Sequence, residues 1–173
     1  MKQFVWIIML AVGNLLAVSA QTTGTARQDG SMNELQDKQE LKELVDVFSV
    51  LADRKEVAAQ TLLFTEDATV ASYRNGKHIS TYTGRKDIGE AFGNFLALFE
   101  TVYHINGQQV VNIDGNRAMG TAYCLVVLIE NRDGERSMNT QGVRYDDEYV
   151  RQDGKWLITK RTSHFEWNDK KEL

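Results

Sequence analysis

Two Asp-Gly pairs, each lying between runs that carry apolar residues, constrain the fold of this chain more than any other feature. Asp153-Gly154 lies within YDDEYVRQDGKWLITKR (Tyr145–Arg161), and Asp114-Gly115 precedes a second long apolar run. An Asp-Gly pair tolerates the positive φ angles that a tight hairpin requires. The second half of the chain is therefore predicted to be a series of antiparallel hairpins.

Asn75-Gly76, the strongest short hairpin signal, predicts one more pair of strands nearer the N-terminus. A bulge is expected at Asn106-Gly107, where glycine interrupts a strand pattern. The strand that follows Asp114-Gly115 is apolar on both faces. This is expected where one face packs against helices and the other lines an apolar cavity. The expected strands are Ala68–Tyr73, His78–Tyr82, Val102–Ile113, Arg117–Ile129, Gly142–Arg151 and Trp156–Phe165.

The first half of the chain shows the apolar spacing of helices. Ser31 to Glu34 matches a capping box, and the apolar positions that follow recur at helical spacing as far as Ala52. A second, shorter helix is expected after a cap at Asp53–Glu56, and a third from about Lys86. Three helices followed by a meander predict an α+β fold.

The N-terminus has the pattern of an export signal. Residues 1–20 combine a positive start at Lys2, a short apolar core and small residues before a cleavage point after Ala20. Residues 21–33 are expected to be a flexible lead-in, and residues 169–173 a polar tail. The predicted destination is the periplasm or the outside of the cell.

Charge and cysteine content exclude several functions. The chain has 20 Lys and Arg against 24 Asp and Glu, a net charge of −4, and no basic block. This balance argues against binding to nucleic acid, and against membrane binding after the signal is cleaved. Cys124 is the only cysteine, so no disulfide can form within the chain. In an apolar strand Cys124 is expected to behave as a small buried hydrophobe.

Four segments resemble one known family. They are LFTEDATV (63–70), YHIN (103–106), IDGNRAMGTAY (113–123) and YVRQDGKWLITKR (149–161). Together they resemble SnoaL-like proteins of the nuclear transport factor 2-like superfamily, and within them the scytalone dehydratase-like branch. The resemblance implies an α+β cone over residues 34–168: about six antiparallel strands curved over three helices, with an internal pocket. It also implies a homodimer.

The resemblance places a catalytic pair at Asp53 and His104. That branch pairs a carboxylate near the end of the first helical segment with histidines on the sheet, and Asp53 and His104 match one position of each kind. The second histidine position holds Ala122 and a preceding tyrosine position holds Ala52, so half of the apparatus matches. Tyr73, or Ser72 after a shift of one residue, corresponds to a pocket tyrosine.

The chemistry of the residues supports such a pair and leaves alternatives open. A carboxylate bonded to an imidazole fixes its tautomer, so that the other nitrogen can move a proton without a metal or cofactor. Tyr103 or Tyr123 could donate to an enolate oxygen, and His164 lies near the expected mouth of the cone. Alternatively, Asp53 caps the second helix and His104 is satisfied by a backbone carbonyl.

The strand Gly142–Arg151 carries acidic residues on both faces. Arg144, Asp146 and Glu148 share one face, which predicts a solvated surface with pairs to Lys160 or Arg161 on the next strand. The alternative is a pocket acid at Asp146 or Asp147. His78 follows its hairpin directly and is expected to be exposed.

Two functions follow from the sequence. The first is a cofactor-independent lyase or isomerase that uses Asp53 and His104 on a small apolar carbonyl or hydroxylated compound. The second is a non-catalytic module of the same fold, for binding a small apolar or aromatic molecule or for dimeric assembly. No metal site is expected, because the three histidines lack metal-ligand spacing.

Overall fold

The computed structural model describes the backbone of residues 21–173 and the side chains of residues 33–173. The predicted signal peptide, residues 1–20, lies outside the described residues. The described chain contains three helices and six strands, whose order is α1 Gln21–Asp53, α2 Val57–Thr61, β1 Phe64–Arg74, β2 Lys77–Thr83, α3 Arg85–Leu96, β3 Thr101–Asp114, β4 Arg117–Arg132, β5 Glu135–Gln152 and β6 Lys155–Glu172.

The strands form one curved sheet in the order β2-β1-β6-β5-β4-β3. Neighbouring strands are antiparallel except for β1 and β6, which pair in parallel. The sheet is therefore mixed, whereas the sequence predicted a wholly antiparallel one. Tight turns dictate antiparallel pairing between consecutive strands, but β1 and β6 are joined only through the rest of the chain, so no turn fixes their relative direction.

The predicted hairpins and bulge are confirmed. Asn75 and Gly76 have φ angles of 50° and 72°, and Asp153 and Gly154 have 50° and 77°. Positive φ at both central residues is the signature of the hairpin turn that matches strand twist. The β3–β4 register shifts between Asn106 and Gln109, where the bulge was expected.

The first helix begins earlier than the sequence predicted. The structure assigns helix from Gln21, so the expected flexible lead-in at 21–33 is helical and the expected cap at Ser31 lies inside α1. The chain contains no proline, so no residue of this segment obliges a helix to start at Ser31. Among the helices of the described residues, none is both long and apolar enough to cross a membrane.

The last two strands are longer than the sequence predicted. β5 begins at Glu135, and β6 continues to Glu172, so the expected polar tail at 169–173 contributes strand pairs as far as Ser137↔Glu172. This part of β6 is exposed on both faces, and its polar composition masks the alternation by which a strand is recognised.

Residues 34–173 form one compact unit with helices packed on one face of the sheet. We call this face the inner face, and the opposite one the outer face. Phe95 of α3 is 44% exposed. The largest buried cluster joins the helices to β1, β4, β5 and β6 through Leu41, Leu44, Phe48, Phe64, Ile88, Ala118, Tyr149, Trp156 and Ile158.

Candidate functional site

The inner face and the helices of residues 34–173 line a cavity of about 430 Å³. This volume suits a small organic ligand. Most of the lining is apolar or aromatic, and it includes Phe48, Ala52, Val70, Phe92, Leu96, Val126, Leu128 and Tyr145. The polar minority consists of Gln60, Ser72, Arg74, Ser80, His104, Gln141, Arg161 and Ser163. An apolar cavity with few polar groups binds apolar ligands and orients them at those groups.

The structure brings Asp53 and His104 together at this cavity. Asp53 is the last residue of α1, and His104 lies on the inner face of β3. Their side chains meet through Nδ1 and Oδ1 at 2.6 Å, and the His104 backbone N–H donates to Oδ2 at 3.3 Å. The alternative that Asp53 caps α2 was wrong, because the residue before α2 is Glu56 and makes no side-chain cap.

The pair fixes the protonation state of the imidazole. An ionised carboxylate only accepts hydrogen bonds, so Nδ1 of His104 carries the proton and Nε2 carries the lone pair. Burial lowers the pKa of His104, the hydrogen bond and charge of Asp53 oppose this, and the positive charge of Arg161 lowers it further. His104 is therefore a neutral base at pH 7, and Nε2 is the nitrogen left for a molecule in the cavity.

Arg161 is a second polar group of the cavity, and its charge is fully buried. Its side chain is 1% exposed. The guanidinium carbon lies 4.1 Å from the ring centroid of Phe48 and 4.3 Å from that of Tyr145. Both contacts suit a cation over an aromatic face. Among the described residues, its Nη1 has no hydrogen-bond partner, so Arg161 can still donate to a ligand oxygen.

Asp147 holds Arg161 in place. Nε and Nη2 of Arg161 donate to the two carboxylate oxygens of Asp147 at 2.8 and 2.7 Å, and the Tyr149 hydroxyl donates to Asp147 at 2.9 Å. Burial lowers the pKa of Arg161, but the charge and hydrogen bonds of Asp147 outweigh burial and raise it. With three donors around it, Asp147 is engaged in positioning Arg161 and does not act as a base.

The four predicted ligand-binding residues lie on the outer face, away from the cavity lining. Tyr103 and Tyr123 are about half exposed, and His164 stacks on Tyr73 with ring centroids 5.5 Å apart. Each of the four has a sequence neighbour that lines the cavity or packs inside: His104, Cys124, Ser163 and Ser72. Successive strand residues point to opposite faces, so the structure places each of these four side chains one residue away from an inward-facing position.

The outer face of β5 carries the predicted row of charges. Glu148 pairs with Lys160 at 2.9 Å, and Arg144 pairs with Asp146 and with Glu166. His164 also contacts Asp146, through Nε2 at 3.2 Å. The prediction of a solvated face with a pair to Lys160 is confirmed. Asp146 is not among the residues that line the cavity with His104.

Two further residues behave as the sequence indicated. Cys124 is buried, and burial raises the pKa of its thiol to about 12, which leaves it unreactive at neutral pH. His78 is exposed and bonds Thr81 at 2.8 Å. Across the described side chains, no three His, Cys, Asp or Glu groups are arranged to share a metal ion.

The sequence interpretation missed Arg161 and Gln60 as cavity residues. Arg161 points inward because β6 has one extra residue where Glu148 pairs with Lys160 and Tyr149 pairs with Ile158. A bulge of this kind reverses the alternation of faces, and no sequence pattern marked it. Asp147 did carry a signal: it alternates with Tyr145 and Tyr149, so it required a buried partner.

Comparison with known proteins gives a consistent family assignment. Residues 33–162 match the model of the SnoaL-like domain. The uncharacterized protein Rv2910c of Mycobacterium tuberculosis is 27% identical over 133 residues, which cover 76% of this chain and 86% of that protein.

Solved structures show the same fold at low identity. A proposed scytalone dehydratase from Novosphingobium aromaticivorans superposes with a TM-score of 0.69 at 18% identity, covering 80% of this chain and 90% of the other. A type 2 hexachlorocyclohexane dehydrochlorinase, LinA, superposes with a TM-score of 0.68 at 16% identity, covering 83% and 93%. At these identities the likeness establishes the fold alone.

Proposed function

The chain belongs to the SnoaL-like domain family, and from this premise we propose that it is a cofactor-independent lyase or isomerase of small apolar carbonyl compounds. The observation that carries the proposal is the 2.6 Å contact between Asp53 and His104 at an apolar cavity. An oriented, neutral imidazole is the general base that proton abstraction requires.

The proposed reaction begins at a carbon next to the ligand's carbonyl group. Nε2 of His104 removes the proton, and the electron pair of the C–H bond forms an enolate. Arg161 Nη1 donates a hydrogen bond to the enolate oxygen, where a buried cation stabilises the developing charge more strongly than water does. Where the ligand carries a β,γ double bond, the electron pair extends to the γ carbon, and return of the proton there shifts the double bond and completes an isomerisation. Alternatively, the enolate expels a β-hydroxide, which takes the proton from His104 and leaves as water.

Asp53 and Asp147 act as positioning residues in this scheme. Asp53 keeps the proton on Nδ1 and stabilises the imidazolium that forms when Nε2 is protonated. Asp147 keeps Arg161 charged and in place. Neither carboxylate needs to touch the ligand, which agrees with their engagement by His104 and by Arg161 and Tyr149.

A proton-exchange experiment tests this proposal without knowledge of the natural ligand. 2-Tetralone, a bicyclic ketone with acidic protons next to its carbonyl, is incubated with the protein in D₂O, and loss of the α-proton signal is followed by NMR. We expect the wild type to exchange about 100-fold faster or more than His104→Asn. His164→Asn, on the outer face, is the matched control and should exchange at the wild-type rate. Equal exchange by wild type and His104→Asn would remove the catalytic proposal.

A second candidate function is supported by the outer face of the sheet. Large apolar residues are about half exposed or more there, namely Tyr103, Ile105, Val110, Met119, Tyr123 and Trp167. Exposed apolar surface of this kind is typical of protein interfaces. We propose that this face joins two copies as a homodimer; without turnover, the chain would serve as a ligand-binding or assembly module. A monomeric mass of the wild type in analytical ultracentrifugation would contradict the dimer.

We also propose that the chain is exported, as its first twenty residues indicate. Native mass spectrometry of the protein purified from its own host would test this together with ligand binding. We expect the measured mass to be that of a chain beginning at Gln21, with an apolar small molecule bound. A chain that retains residues 1–20 would contradict cleavage, and an empty protein would favour the assembly module.

A further inference from the structure

Gln60 carries a polar atom that the proposed reaction does not use. It lies on the short helix α2, is 1% exposed, and lines the same cavity as His104 and Arg161. Among the described residues, its Oε1 has no hydrogen-bond partner. An unsatisfied acceptor in an apolar site destabilises the folded state, so this arrangement calls for a functional explanation.

The orientation of the Gln60 amide follows from its other contact. Nε2 donates to the backbone carbonyl of Phe48 at 3.2 Å. A carbonyl oxygen only accepts hydrogen bonds, so the amide cannot flip without losing this bond. The backbone is held as well, because the Gln60 N–H donates to the Glu56 carbonyl at 2.9 Å. Oε1 is therefore the free end of a side chain fixed at both its base and its nitrogen.

We infer that Gln60 is a specificity-determining residue of the cavity, whose Oε1 accepts a hydrogen bond from a hydroxyl or N–H group of the ligand. The inference rests on the proposed function of this cavity and defines its ligand class more narrowly. Arg161 Nη1 is a free donor and Gln60 Oε1 a free acceptor, while the surrounding surface is mostly apolar. The matching ligand is an apolar molecule that carries one oxygen acceptor and one hydroxyl or N–H donor.

Such a site discriminates strongly between close analogues. A ligand that lacks the donor leaves Oε1 buried without a partner, and a site built for a hydrogen bond rejects such a ligand far more than it rejects a missing methyl group. An ether in place of the hydroxyl is worse still, because two acceptors then face each other. Discrimination between a hydroxyl and a methoxy group is therefore the property to measure.

Three naphthalenes test this discrimination by calorimetry. 2-Naphthol can donate and accept, 2-methoxynaphthalene can only accept, and 2-methylnaphthalene can do neither. We expect the wild type to bind 2-naphthol about tenfold more tightly, or more, than either analogue. A naphthol held only by Arg161 would accept a hydrogen bond, so the methoxy compound would bind equally well; that result would overturn the inference.

Variants assign the preference to Gln60. Gln60→Met keeps the length of the side chain and removes Oε1, so the ratio of naphthol to methoxynaphthalene affinity should fall to about one. Gln109→Met is the matched control: Gln109 also donates from Nε2 to an α1 carbonyl, that of Leu41 at 3.2 Å, but it is not among the cavity lining. It should keep the wild-type ratio. Persistence of the preference in Gln60→Met would overturn the assignment.

The outcomes separate this inference from the proposed function. The wild-type comparison needs no variant, so a failure of Gln60→Met to fold leaves it intact. A hydroxyl preference without proton exchange supports the role of Gln60 and contradicts only the catalytic proposal. Proton exchange without a hydroxyl preference contradicts only the inference. If none of the three probes bound at millimolar concentration, the inference would be contradicted, and the proton-exchange experiment would decide the proposed function separately.

Discussion

The two faces of the sheet use the same residue types for different purposes. Asp146 and Asp147 are neighbours in sequence, and each pairs with an arginine. On the inner face the Asp147–Arg161 pair is 1% exposed at both side chains. On the outer face Asp146 is 40% exposed and shares Arg144 with Glu166.

The histidines repeat this contrast. His104 meets Asp53 at the cavity with its side chain 8% exposed, whereas His164 meets Asp146 on the outer face with its side chain 25% exposed. Sequence motifs would treat these pairs alike. The difference lies in the surroundings: little water screens the inner pairs, so each charge depends on its partner, while solvent can replace either partner outside.

Removal of Asp147 should produce the largest effect of any change considered. Asp147→Ala leaves Arg161 charged and buried without its counter-ion, so we expect a loss of about 3–5 kcal/mol in the free energy of unfolding. Chemical denaturation measures this loss. The adjacent change Asp146→Ala should cost at most about 1 kcal/mol, because its partners are solvated. Equal losses would show that the two faces do not differ as the structure indicates.

Replacing the carboxylate of Asp53 with an amide compares the two faces by their effect on the rate of proton exchange. Asp53→Asn can turn its NH₂ toward Nδ1 of His104, which moves the proton to Nε2 and removes the base. We expect proton exchange from 2-tetralone to slow by a factor on the order of 10²–10⁴. Asp146→Asn, beside His164, should leave the rate within about twofold of wild type. A fast Asp53→Asn variant would contradict the tautomer assigned to His104.

The sequence predicted the hairpins and the partnership of Asp53 with His104 better than it predicted which face of the sheet each side chain occupies. The hairpins at Asn75-Gly76 and Asp153-Gly154 were predictable, because positive φ at both positions restricts the residues allowed. The α+β cone and the partnership of Asp53 with His104 followed from the family resemblance. Their contact needs the end of α1 to lie against β3, a long-range arrangement that local patterns do not encode.

Errors in the site arose where alternation was misjudged by one residue. Tyr103 and His104 were both expected in the pocket, although neighbours on a strand point to opposite faces. Arg161 was expected on a solvated face, and the extra residue in β6 at Thr159 turned it inward. Such bulges depend on how a whole strand fits its partner, so one sequence does not reveal them.

Adding a methyl group to a glycine on each face tests how tightly the two are packed. In Gly120→Ala the new Cβ would lie 2.8 Å from Val111 Cγ1 and 3.2 Å from Tyr149 Cε2, both inside the core. We expect a loss of about 1–3 kcal/mol on chemical denaturation. In Gly142→Ala the new Cβ would meet the Trp167 indole. Trp167 is half exposed, so we expect its indole to move toward solvent. That variant should lose less than about 1 kcal/mol, and a reversed order would contradict the assignment of faces.

The pH dependence of proton exchange gives the smallest effect, at most tenfold per pH unit, and in the proposed reaction it follows the protonation of His104. Because burial lowers the pKa of His104 from its ordinary value of 6.5, the neutral form predominates at pH 6.5, and the rate should fall mainly below that pH. The free energy of unfolding changes with pH in the same direction as the rate, and falls as the pH falls. The unfolded chain takes up the His104 proton first as pH falls, so the His104 contribution to the free energy of unfolding is full above pH 6.5 and declines through the folded pKa.

His104→Asn should remove this decline in stability, and His164→Asn should retain it, since the decline arises from the buried His104. A rate that already falls above pH 6.5 would mean that Asp53 outweighs burial and raises the pKa of His104. The inner His104–Asp53 pair would then behave as a charged, solvent-screened pair does. The two faces would no longer differ in their histidine pairs, even if they still differed in their arginine pairs.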